Sequence, residues 1–167
     1  MSRAFVSEDR GLEDVPVAPR AVLPPGAPNW VTPRGHRLLQ QEREILVTTL
    51  RDTDDKAQQA ALLQRQAELQ YRLASAQIID LSSSPPQAVR FGATVRLRSE
   101  GAEWQVKLVG ADEADPSLGL ISIHSPLARA LLGRMPHQTA ILQNDEGEEI
   151  TTEILEVRYN PVDPDEE

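Results

Sequence analysis

The sequence predicts an α+β protein: an amino-terminal antiparallel helical hairpin, then a small, strongly curved antiparallel sheet that holds one short helix. Three observations predict it. Apolar residues recur at heptad spacing over residues 32–80. Short apolar segments of alternating character, separated by turn residues, fill residues 88–160. Between them Ser82-Ser83-Ser84-Pro85-Pro86 interrupts both patterns and marks a linker over 81–87.

Residues 1–31 carry Pro16, Pro19, Pro24, Pro25 and Pro28 among mixed charges, with no period of helix or strand. Such a composition buries too little apolar surface to offset its ordering entropy, so a disordered leader is expected. Val15, Val17, Val22, Leu23 and Trp30 are its possible points of attachment to a neighbour. Thr32-Pro33 then opens the first helix, with threonine as cap and proline at the first position. Leu39 and Leu46 are one heptad apart, as are Leu38 and Ile45, and Leu50 continues the stripe. A second helix is expected from near Asp54 towards Ile78, with Leu62, Leu69 and Ala76 every seven and Gln66 and Leu73 between them. Two such seams joined by a short polar link form an antiparallel coiled coil over 32–80.

The sheet begins at Phe91–Leu97, where Val95 and Leu97 alternate with charged residues. Glu100-Gly101-Ala102 turns it into a partner strand at Trp104–Val109. An acidic turn, Asp112-Glu113-Ala114-Asp115, precedes a third strand, Leu120–Ile123. Ser125-Pro126 starts a short helix over Leu127–Leu132, and Gly133 ends it. Thr139–Leu142 and Ile150–Tyr159 pair across Asn144-Asp145-Glu146-Gly147. In the last strand the apolar parity changes from Ile150, Thr152, Ile154 to Leu155, Val157, Tyr159, which predicts a bulge or a sharp twist. Residues 161–167 form an acidic tail.

Charge narrows the partners. The formal charge is -9, and from Ser82 onward there are 7 basic against 15 acidic side chains, compared with 7 and 7 between Thr32 and Asp80. The carboxy-terminal half is therefore unsuited to gripping phosphate backbones, and a basic or mixed protein surface is the expected partner. There is no cysteine, hence neither a disulfide scaffold nor a thiolate metal site. No apolar run approaches the roughly 20 residues of a membrane span, and a cytoplasmic location is expected. His36, His124 and His137 lack ligand spacing.

The run from Val109 to Asp115 (VGADEAD), then GLISIHSPLARALLG to Gly133, then EILEVRY to Tyr159, closely resembles the carboxy-terminal domain of the bacterial Gre transcript-cleavage factors. The resemblance is close over residues 88–160, looser over 32–80, and absent from the leader. It implies an FKBP-like domain after a coiled coil. It also implies a protein that binds bacterial RNA polymerase, meets nucleic acid only through the transcription complex, and acts as a monomer. In that family the turn and capped helix of the carboxy-terminal domain grip a coiled coil at the entrance of the polymerase's secondary channel. The matching positions here are Asp112, Glu113, Asp115, Ser122, Ser125 and Pro126.

The hairpin tip reads Leu50-Arg51-Asp52-Thr53-Asp54-Asp55-Lys56. By resemblance, Asp52, Asp54 and Asp55 would assist catalysis in trans. No cofactor is stably bound in this reading; a magnesium ion is shared with the polymerase, whose own nuclease then cuts backtracked RNA. The chain itself is then an accessory factor and not an enzyme. Alternatively, Asp52 or Asp54 simply caps the second helix, with Asp55 favoured electrostatically near its positive end. The tip lacks the Asp-Leu-Lys-Glu-Asn-like setting of the family, and the first arm, Pro33 to Leu50, spans only roughly 27 Å at the helical rise. These departures suit a second reading: occupation of the channel without cleavage, as in the short-armed regulator of nucleoside diphosphate kinase. A stand-alone prolyl isomerase is the third. It would want an aromatic-lined pocket, and Phe91, Trp104 and Tyr159 read as core.

Overall fold

The computed structural model describes residues 19–81 and 87–159. Residues 1–18, most of the linker and the acidic tail lie outside the described residues. Thr32 opens the hairpin as its sequence predicts: its side chain accepts from the Gly35 amide at 2.9 Å, and Pro33 follows. Helix α1 runs Pro33–Asp52 and α2 runs Lys56–Ser75, with Asp55 capping α2 by accepting from the Gln58 amide at 2.8 Å. At 20 residues each, the arms extend about 30 Å.

Leu39, Leu46 and Leu69 are buried together with Val31, and Leu62, Leu73 and Ala76 pack against them. Of the two α1 stripes only this one is covered, while Leu38 and Ile45 are exposed. A single partner helix covers one face, and the neighbouring position lies about 100° round the helix.

The end of α2 and the leader both depart from expectation. Trp30–Val31 (β1) pairs in parallel with Gln77–Ile78 (β2), so the helix stops at Ser75 and does not continue to Ile78. Asn29 makes the stop: its side-chain amide donates to the Arg72 carbonyl at 2.9 Å and to Ser75 Oγ at 3.1 Å, while its carbonyl accepts from the Gln77 amide. Pro19–Val31 is therefore an ordered strap along the hairpin, which corrects the expectation of disorder for that part of the leader. Local composition carries no trace of partners more than forty residues away.

The remaining strands are Thr94–Ser99 (β3), Ala102–Val109 (β4), Leu120–Ser122 (β5), Thr139–Gln143 (β6) and Glu149–Arg158 (β7), in the spatial order β5-β4-β3-β7-β6. Glu100 and Gly101 both take positive φ, 51° and 83°, as a two-residue hairpin turn requires. Between Arg96 and Leu97 the register against β7 skips Leu155, so the expected bulge is present and returns Ile154 and Val157 to the buried face. The sheet is mixed, not wholly antiparallel. β5 runs parallel to β4, because the segment 110–119, closed by the Asp115–Leu120 bridge and a 3-10 turn at Pro116–Leu118, carries the chain back before it pairs. The sheet curls round helix α3, Pro126–Leu131, whose Ala128 and Leu131 are fully buried in the core with Leu97, Leu108 and Ile154. This is the FKBP-like arrangement that the resemblance implied.

Candidate functional site: the turn, the capped helix and the hairpin tip

The acidic turn divides in two. Asp112 and Glu113, expected on the docking face, point into the junction between hairpin and sheet. Glu113, with its side chain 2% exposed, accepts from Thr32 Oγ1 at 2.5 Å and from Arg34 at 3.3 Å. Asp112 accepts from Arg20 at 2.7 Å and from Arg72 at 3.3 Å. A carboxylate whose oxygens are spent on buried intramolecular partners offers little to an outside surface. The junction is close-packed: Trp30 meets Phe91 edge to face with ring centroids 5.9 Å apart, and a Cβ on Gly110 would run into the Trp30 carbonyl.

Asp115, Ser122, Ser125 and Pro126 remain on the accessible side, flanking the edge strand β5. Asp115 caps the 3-10 turn by accepting from the Ser117 amide and hydroxyl, leaving Pro116, Ser117 and Leu118 exposed. Leu118 is 65% exposed, an apolar residue in the turn that sequence reading passed over. Ser122 Oγ accepts from the His124 amide, and Ser125 Oγ caps α3 by accepting from the Ala128 amide at 3.2 Å. Pro126 is exposed beside it. The face is thus a strand edge bracketed by two capped turns, with geometry fixed by their own hydrogen bonds.

At the far end of the hairpin Asp52, Asp54 and Asp55 are exposed. The cap of α2 is Asp55, and not Asp52 or Asp54 as expected, because the helix starts at Lys56, later than the sequence suggested. Among the described residues no three His, Cys, Asp or Glu side chains are grouped to hold a metal ion. A magnesium ion held chiefly by another molecule would take exposed carboxylates of this kind as one or two of its oxygen ligands.

A notch of about 470 Å³ lies between α3 and the β6–β7 edge, lined by Trp104, Leu127, Ala130, Ile141 and Ile150 among others. Among the described residues Trp104 is its sole aromatic. Phe91 is buried and the Tyr159 hydroxyl donates to the Ala88 carbonyl, as core residues do. No helix among the described residues is long and apolar enough to cross a membrane.

Two groups at or near the junction make stability sensitive to acid. Burial, then the charges of Arg129 and Arg72, hold the His124 imidazole below its usual value of 6.5. Burial opposes ionisation of Glu42 as well, but hydrogen bonds from Arg20 and Arg65 outweigh it and hold that carboxyl below 4.5. In both cases the unfolded chain binds the proton more readily, so each contribution is complete above the ordinary value and is lost as pH falls through the folded one. The urea midpoint should therefore hold steady above pH 6.5, drop as the pH falls below 6.5, and drop again below 4.5. His124→Gln should remove the first step; a midpoint that rises on acidification would contradict both assignments.

Comparison with known proteins agrees with this geometry. The family model described as "Transcription elongation factor, GreA/GreB, C-term" matches residues 84–159. The transcription elongation factor GreA of Halorhodospira halophila is 36% identical over 141 residues, covering 74% of this chain and 88% of that protein. The chain belongs to the GreA/GreB family. GreA of Pasteurella multocida is 34% identical over 153 residues, covering 77% of this chain and 96% of that protein. GreB of Yersinia pestis is 33% identical over 159 residues, covering 82% and 92%. As a member of this family the chain is a Gre-like transcription elongation factor.

Proposed function

We propose that this Gre factor is a cytoplasmic, monomeric regulator that binds bacterial RNA polymerase, docks by the β5 edge and places its short hairpin in the secondary channel. Asp115, Ser122, Ser125 and Pro126 form the docking face, and Asp112 and Glu113 hold the turn from behind. The face being presented at one end of the molecule, with a helical finger projecting from the junction behind it, is the observation that carries this reading. The protein has no turnover of its own; it acts on what the polymerase does.

At the tip, occupation of the channel without cleavage is the reading the geometry favours. The arms are about 30 Å long, and one of the three carboxylates is already committed to capping α2. Stimulated cleavage keeps one observation in its favour, the exposure of Asp52, Asp54 and Asp55 at the extremity. Backtracked elongation complexes separate the two. With saturating protein the RNA should stay uncut, and cleavage by an authentic Gre cleavage factor should slow as this protein competes for the channel. That competition should survive Asp52→Ala, Asp54→Ala and Asp55→Ala combined. Shortened RNA with the parent protein and none with the triple variant would establish cleavage instead, and no competition at all would reject docking.

A further inference from the structure

Arg20 stands thirteen residues before the start of α1 at Pro33, yet its side chain is only 6% exposed. Nη1 donates to Asp112 Oδ1 at 2.7 Å and Nη2 to Glu42 Oε1 at 2.6 Å, so one guanidinium joins the sheet domain to helix α1. Arg72 of α2 adds a second bond to Asp112 at 3.3 Å and donates to the carbonyl of Ala21, while Arg65 shares Glu42 at 2.8 Å. The other end of the strap is held by Asn29 and β1. Between the two, Pro24 and Pro25 fix their own φ angles and reduce what ordering costs.

The position of Glu42 matters. The contacts of Thr32, Arg34 and Trp30 all lie at the base of the hairpin, where they act as a pivot. Glu42 is ten residues beyond Thr32, roughly 15 Å up the helix. A tie from that point to Asp112 acts as a diagonal brace, and it resists the rotation that a pivot alone allows. The joint needs a planar fork that meets two carboxylates at once, which arginine provides and lysine does not.

We infer that Arg20 is a positioning residue: it fixes the angle between hairpin and sheet domain, and with it where the tip points once the domain has docked. The inference deepens the functional reading and rests on it only for what the angle serves; the brace itself is tested without polymerase. The chain has no cysteine, so Lys56→Cys near the tip and Glu146→Cys in the β6–β7 turn accept a single pair of spin labels. The parent should give one narrow distance distribution. Arg20→Ala should broaden it at least twofold or shift its maximum, Glu42→Gln should do the same from the other end, and Arg20→Lys should fall between. Circular dichroism checks that α1 and α2 stay folded, and Glu42→Gln and Arg20→Lys carry the test if Arg20→Ala does not fold. Distributions in Arg20→Ala and Glu42→Gln that superimpose on the parent's overturn the assignment. A changed angle upholds it even where polymerase binding proves absent, so the two failures are distinguishable.

Discussion

Glu113→Ala should destabilise the protein by about 3–5 kcal/mol, the usual consequence of removing one member of a buried, hydrogen-bonded charge pair. Its carboxylate is the acceptor for Thr32 Oγ1 and for Arg34, and its charge supports Lys107 of β4. Burial, the largest influence, depresses the Lys107 ammonium; Glu113 opposes that depression and Arg34 adds to it. Without Glu113 two cations face each other across a partly dry junction, and the Thr32 hydroxyl keeps its capping role but loses an acceptor for its proton. Urea unfolding followed by tryptophan fluorescence measures the effect. Trp30 sits at the junction and Trp104 in the sheet, so Trp104→Phe isolates the junction's signal. A loss below about 1 kcal/mol, the range of an exposed pair, would show that the junction does not depend on this carboxylate. Any accompanying loss of polymerase affinity would come from a displaced turn.

Leu69→Ala is the second large effect, at about 2–5 kcal/mol for a fully buried leucine truncated to a methyl group. Leu69 is 0% exposed, and among the described residues only Val31, Leu39 and Leu46 share its buried cluster. The sheet domain buries a much larger set around Leu97, Leu108, Leu131 and Ile154. A cavity in the thinner core has less around it to collapse, so the hairpin should loosen first. Helical circular dichroism should then be lost before the Trp104 fluorescence changes, whereas the parent should show one transition for both probes. Leu69→Met, which conserves volume, should cost less than about 1.5 kcal/mol. Coincident transitions in Leu69→Ala would mean that the junction couples the two halves more strongly than either core holds itself.

The local signals were legible wherever one residue's chemistry decided the outcome. Thr32-Pro33 and Ser125-Pro126 open helices because a side-chain oxygen and a missing amide proton suit those positions in any context. The bulge opposite Arg96 and Leu97 could be read from the change of parity at Leu155, since a period of two cannot otherwise keep both halves of β7 facing inward. The family was legible from the run between Val109 and Gly133. What escaped were long-range pairings. Nothing near Arg20 announces Asp112, ninety-two residues away. Asp112 and Glu113 have the same local appearance as Asp115, although the first two face inward and Asp115 caps an exposed turn.

The sequence by itself determined the two helices, the caps at Thr32 and Ser125, the five longer strands and the family, because each follows from spacing or from a motif contained within a few dozen residues. Only the tertiary structure decided that β5 runs parallel, that Pro19–Val31 is a strap, and which carboxylates of the acidic turn are available. Those outcomes depend on which charges are removed from water together, and burial is a property of the assembled chain that no single stretch carries.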